Sequence, residues 1–205
     1  MLDRVSNRAV FERYLTAAEE RQLFGYVDQF GGPLAARDAA WMRLMRHTGL
    51  RVASVAGLTV ADAKAALSTG HLVARDECAK GKRGYQVSCN KPARKALNAL
   101  LQVRREMGFA PISDEPLIVT FRGGGMSVRS FQARMAEWRK ESGLPVAASC
   151  HWFRHTLAKR VIAQSTARDP LGVVQAALGH TCRQSTAIYA LPDREEVAAA
   201  LEEAV

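Results

Sequence analysis

The sequence predicts a mainly α-helical domain with one small antiparallel β-sheet, an α+β arrangement that occupies residues 1–205 as a single unit. Three observations predict it. Apolar residues recur at helical spacing behind capping residues through most of the chain, and two short β-prone runs flank a polar, glycine-containing turn. No internal repeat, low-complexity tract or linker divides the 205 residues, a length that suits one domain with a proper core.

The elements follow in order. Residues 1–15 form a lead-in. Thr16 with Glu19 is a capping-box signature, and Leu23, Tyr26, Val27 and Phe30 then share one face of a first helix that ends near Gly31-Gly32-Pro33. From Arg37 to Thr48, Ala40, Trp41, Leu44 and Met45 repeat the pattern, and Gly49 stops it. Arg51 thus follows immediately on a helix end. Residues 71–76 and 84–89 are the β-prone runs, predicting a hairpin whose turn carries Lys80, Lys82 and Arg83. Pro92 is placed to open a helix running to about Met107, and the glycines at 123–125 break the chain again. Ser127 to Ser142, Ala148 to Ala163 and Pro170 to Leu178 read as three further helices. Residues 192–205 form a tail helix in which Val197, Leu201 and Val205 make an apolar stripe.

Composition narrows the function classes. No apolar run approaches the roughly 20 residues of a membrane span, and the start of the chain carries charges where a signal peptide needs its apolar core, so a cytoplasmic protein without a membrane partner is expected. The four cysteines are scattered without a CxxC pair, which predicts reduced thiols and not a disulfide framework or a four-cysteine zinc site. The formal net charge is +9, unevenly spread. Residues 61–110 carry ten basic and four acidic side chains, whereas residues 161–205 carry three basic and six acidic. A strongly basic middle favours phosphate-bearing partners through counterion release; a merely solubilising surface is the alternative.

The chemistry concentrates in HWFRHT, residues 151–156, where His151, Arg154 and His155 share one helix face. Such a face can be solvated surface. Two histidines at i and i+4 also match the zinc geometry of HExxH proteases, but Trp152 stands where that motif needs its glutamate base. As an anion site, Arg154 offers a planar fork of donors and His151 a titratable one. A phosphodiester spreads charge over several oxygens, so this reading demands a second fixed cation, and Arg51, at a helix end between Leu50 and Val52, is the candidate; an ordinary surface arginine is the alternative. A lone tyrosine, Tyr189, lies nine residues beyond His180. By itself it reads as a half-buried packing residue.

Taken together, TGLR at 48–51, AKGK at 79–82, HWFRH at 151–155, LGH at 178–180 and Tyr189 resemble the tyrosine recombinases, the phage integrase family, in order, residue type and spacing across roughly residues 10–190. The resemblance implies that family's catalytic-domain fold and site-specific recombination of duplex DNA through a 3′-phosphotyrosyl intermediate, with no metal or other cofactor. Tyr189 is then the nucleophile, Arg51 and Arg154 clamp the non-bridging oxygens, and His151 and His180 bond the phosphate or handle the tyrosine proton. Lys80 protonates the leaving 5′-oxygen, with Lys82 the alternative, and Lys82, Arg83 and His155 are expected at the DNA. A phenol is about a thousandth ionised at neutral pH, so activation by neighbouring cations is required.

The sequence departs from the pattern in three places. Ser54 stands where the family often has an acidic residue, Gly84 and Tyr85 stand where charges usually continue the hairpin, and about 15 residues precede the first helix, so the family's N-terminal DNA-binding domain is not expected in this chain. The chain is then either a fragment or a catalytic-domain-only version. The resemblance also suggests a tail that packs on a neighbouring protomer in a homo-oligomer on DNA; packing on its own domain is the alternative. A DNA-binding relative without cleavage, a zinc hydrolase using His151, His155 and His180, and a type IB topoisomerase are the competing readings.

Overall fold

The computed structural model describes residues 9, 12–75, 84–192 and 194–204. The chain opens with α1 (Ala17–Val27), α2 (Pro33–Thr48), α3 (Val52–Ala56) and α4 (Val60–Thr69). A hairpin of β1 (His71–Ala74) and β2 (Tyr85–Ser88) follows, then α5 (Lys91–Glu106), α6 (Val128–Glu141) and α7 (Cys150–Gln164). α8 (Pro170–Leu178), the short α9 (Gln184–Ala187) and α10 (Arg194–Glu203) complete the chain. No described helix is long and apolar enough to cross a membrane.

The predicted caps form. Thr16 Oγ1 accepts from the Glu19 amide while Glu19 accepts from the Thr16 amide, the two bonds of the capping box. α1 nonetheless ends at Val27, short of Gly31, and Phe30 is 45% exposed on the far side of that end, with its ring edge-on to Trp138. α2 begins four residues before Arg37, because Pro33 at its first turn needs no amide partner. Gly49 closes it in the left-handed region at φ 65°. α3, α4 and α9 were not predicted. α4 carries its own capping box, but with Asp62 in the position where glutamate or glutamine is the recognised signal.

α2 is the central helix, packed against α5 on one side and α7 on the other, with Trp41, Met42 and Leu44 fully buried. Asp38 on α2 is wholly buried and accepts from Arg37, Trp41, Arg134 and Trp138, which ties α2 to α6. A buried carboxylate is tolerable when donors saturate it.

The sheet is two-stranded and antiparallel, pairing His71 with Ser88 and Ala74 with Tyr85. Leu72, Ala74 and Val87 turn inward, and β2 touches α8. The strands are shorter than the predicted runs. Lys80, Lys82 and Arg83 lie outside the described residues. A separate small apolar cluster of Ala158, Val174, Leu178 and Tyr189 joins α7 and α8 to the segment after α9. Along α10, Val197 and Leu201 are 43% and 65% exposed, so the tail stripe is not buried on its own domain.

Candidate active site

A cavity of about 650 Å³ is lined by Arg51, His151, Arg154, His155, His180 and Tyr189. These residues come from α7 and from segments far from it in sequence, and backbone geometry brings them together. Gly49 turns left-handed after α2, and a Cβ there would stand 2.6 Å from Leu178 Cδ2, so the turn sits tightly against the end of α8. Two residues on, Arg51 is the N-cap of α3 and remains half-buried at the cavity wall.

Arg154 is the hub. Its side chain is 1% exposed, yet three of its five N–H donors are committed to fixed acceptors. Nη1 donates to the Gly49 carbonyl at 2.6 Å, and Nη2 donates to the Leu178 carbonyl at 2.7 Å and to His180 Nε2 at 2.8 Å. The guanidinium therefore staples the α2–α3 turn to the end of α8. Burial lowers its pKa, and Arg51 adds to that, whereas Tyr85 and Tyr189 work in the opposite direction.

His180 follows Gly179, whose φ of 61° ends α8. Arginine has no acceptor, so Nε2 of His180 receives the bond from Arg154, and the ring proton sits on Nδ1, 2.8 Å from Thr186 Oγ1. Burial, then the charges of Arg154 and Arg51, lowers the His180 pKa to about 4. The ring is neutral at physiological pH.

His155 is 4% exposed, and burial, with His151 and Arg154 next in effect, lowers its pKa to about 3. It was expected at the DNA surface as one of three cation-capable groups. The fold instead seals it under the cavity, uncharged, between His151 at 4.7 Å and Tyr189 at 4.9 Å between ring centroids. His151 is exposed at the mouth.

Tyr189 is 3% exposed, its ring edge-on to His155 and stacked over His180 at 6.1 Å. Burial raises its pKa, while Arg154 and Arg51 pull the other way. Desolvation has the larger effect, so the phenol is protonated in the protein without DNA.

Arg51, His151, Arg154, His180 and Tyr189 thus meet in one cavity. Arg13 and Tyr85 also line it, and Thr186 holds His180 from behind. None of these three had been singled out for a role, and only Tyr85 had drawn notice, as a departure at the hairpin. Among the described residues, no group of three or more His, Cys, Asp or Glu is arranged to hold a metal ion. The zinc reading therefore lacks its ligand set there.

Residues 13–196 match the phage integrase family. The chain is 34% identical over 166 residues to tyrosine recombinase XerC of Shewanella sp. (strain W3-18-1), covering 81% of this chain and 51% of the relative. It is 33% identical over 175 residues to XerC of Neisseria meningitidis serogroup B, covering 85% of this chain and 54% of that protein. The chain therefore spans about half the length of these relatives. Among solved structures, the crystal structure of XerA recombinase superposes with a TM-score of 0.74 at 21% identity, over 97% of this chain and 66% of that one. The XerH site-specific recombinase bound to its difH substrate gives a TM-score of 0.70 at 20% identity, over 91% of this chain and 52% of that one. The matched sequence takes in every residue that lines the cavity, and by sequence and by fold the chain belongs to the phage integrase family.

Proposed function

We propose that this chain recombines duplex DNA at a specific site by cleaving and rejoining strands, with Tyr189 as the nucleophile. The observation that carries the reading is the position of the Tyr189 phenol beside the Arg154 guanidinium, in a cavity that Arg51 also lines. A phosphodiester drawn in by the two guanidiniums brings the phosphorus to the phenol. As Tyr189 Oη gives up its proton to His151 it bonds to phosphorus, the 5′-oxygen leaves, and the 3′-phosphotyrosyl link retains the bond energy for the reverse step. The two arginines bear the charge of the five-coordinate transition state, where each preorganised donor contributes about 3 kcal/mol. Lys80, or Lys82 in its place, gives the leaving oxygen its proton. His151 bonds a phosphate oxygen from the mouth of the cavity. His180 fixes the Arg154 plane, and His155 supports the Tyr189 ring. Lys82 and Arg83 contact the DNA backbone. The reaction belongs to the cytoplasm, on chromosomal or mobile-element DNA.

The exposed stripe of Val197 and Leu201 docks on a neighbouring protomer when the protein assembles on DNA. A variant lacking residues 192–205 is then impaired in assembly on DNA, and an unchanged oligomeric state on DNA refutes the docking.

The test of the activity mixes protein with nicked duplexes from its genomic neighbourhood, in chelator, and looks on denaturing gels for a covalent adduct. An adduct absent from Tyr189→Phe supports the reading. An adduct that survives the substitution removes Tyr189 as nucleophile, and salt-sensitive binding with no adduct favours a non-cleaving DNA-binding relative.

A further inference from the structure

Among the described residues, two buried side-chain polar atoms lack a hydrogen-bond partner: Tyr85 Oη and His155 Nδ1. A buried hydroxyl without a partner is destabilising and calls for a physical explanation. Tyr85 Oη is the more informative of the two, because Tyr85 lines the same cavity as the two arginines.

Three observations converge on Tyr85. Its ring lies against Gly179, where an added Cβ would overlap the ring itself, so β2 and the turn before His180 approach more closely than any other residue at 179 permits. The Arg51 guanidinium carbon stands 6.0 Å from the centre of that ring, within cation–π range. The hydroxyl stands beside Arg154, close enough for a hydrogen bond that the geometry of this structure leaves poorly formed. Arg154 has spent three donors on Gly49, Leu178 and His180, which leaves two N–H groups for the phosphate side of the cavity.

We propose that Tyr85 is a positioning residue of this site: its ring seats the hairpin strand on the Gly179 turn, and its hydroxyl accepts a hydrogen bond from Arg154 when a phosphate enters the cavity. The inference rests on the recombinase reading above. It adds that the guanidinium plane is set on one side by carbonyls and His180 and on the other by a phenol delivered from the hairpin. The hydroxyl, without a well-formed partner in this structure, then tightens onto Arg154 on loading.

The experiment compares wild type, Tyr85→Phe and Tyr85→Ala. The first variant keeps the ring and deletes the hydroxyl; the second removes both. Duplex affinity is measured by anisotropy, and adduct formation is measured at saturating protein on a nicked duplex. For Tyr85→Phe the expected result is a melting temperature and affinity close to wild type, with adduct formation slowed at least tenfold. Tyr85→Ala is expected to be slower still and to melt earlier. Wild-type adduct rate in Tyr85→Phe would overturn the role of the hydroxyl. Should wild type itself give no adduct, the recombinase reading fails, and the Arg154 side-chain resonances of 15N-labelled protein titrated with the same duplex decide the hydroxyl separately. A shift in wild type that Tyr85→Phe lacks supports the contact, and identical shifts in both refute it.

Discussion

Arg154 Nη2 stands 2.8 Å from His180 Nε2, a cation hydrogen-bonded to a histidine that burial, with Arg154 next in effect, keeps neutral. Because the guanidinium only donates, the bond fixes the imidazole tautomer and sends the ring proton toward Thr186. In the folded protein, His180 therefore orients Arg154 and does not act as a second cation. A 15N NMR spectrum at pH 7 is expected to show Nε2 of His180 unprotonated and Nδ1 protonated. Thr186→Val, which removes the acceptor, should lower that preference.

The same histidines govern stability against pH. His180 titrates at about 4 and His155 at about 3 in the folded state, both lowered by burial from the ordinary 6.5, and His47 is lowered as well. Between pH 6.5 and about 4 the unfolded chain binds more protons than the folded one, so stability falls as pH falls through that window and is independent of these groups above it. Calorimetry is expected to show a melting temperature that declines from pH 7 to pH 5, with uptake of more than one proton on unfolding.

Arg154→Lys tests the fork. A lysine ammonium cannot reach the Gly49 carbonyl, the Leu178 carbonyl and His180 at once while still donating to a phosphate. Adduct formation should fall by about 100-fold or more. Stability should fall by about 2 kcal/mol, because buried acceptors lose their partner. Urea denaturation and single-turnover cleavage check the two effects separately.

A pair of glycine substitutions separates backbone strain from backbone freedom. Gly179 is left-handed at φ 61° and closely covered by Tyr85, so Gly179→Ala should cost about 2 kcal/mol and disturb the site as well. Gly25 lies inside α1 with open space around it, and Gly25→Ala should stabilise by about 0.5–1 kcal/mol. Chemical denaturation of both variants measures the opposite signs.

Asp38→Asn probes the buried hub between α2 and α6. Asp38 Oδ1 accepts from Arg37 and Trp41, and Oδ2 accepts from Arg134 and Trp138. An amide cannot accept at both ends, Arg37 loses its counter-charge, and Arg134 keeps only Glu137. The expected loss is about 3–5 kcal/mol by urea unfolding, with no specific effect on the chemistry at Tyr189 beyond that instability.

Much of this architecture was legible along the chain, because its signals are local. Thr16 with Glu19, Gly49 behind an apolar repeat, Pro92 at the start of one and Ser127 before Val128 each act within one helical turn, and each marks an element end that the fold contains. Where local signals were weak, the reading fell short. α3 and α9 are too short for periodicity to register, and α4 caps itself with aspartate. The order of TGLR, HWFRH, LGH and Tyr189 was enough to identify the family, since residue types and spacings survive in sequence.

What the sequence by itself determined is therefore the helical class, several element ends and the family. Only the tertiary structure decided their states. Whether a histidine is a cation or a neutral acceptor, and whether a phenol is ionised, depends on desolvation and charge summed over neighbours that are remote in the chain: Arg51 and Arg154 stand beside Tyr189, and Tyr85 from the hairpin lies on Gly179. Motif spacing carries no measure of burial, so His155 read as an exposed cation and proved to be a buried neutral ring.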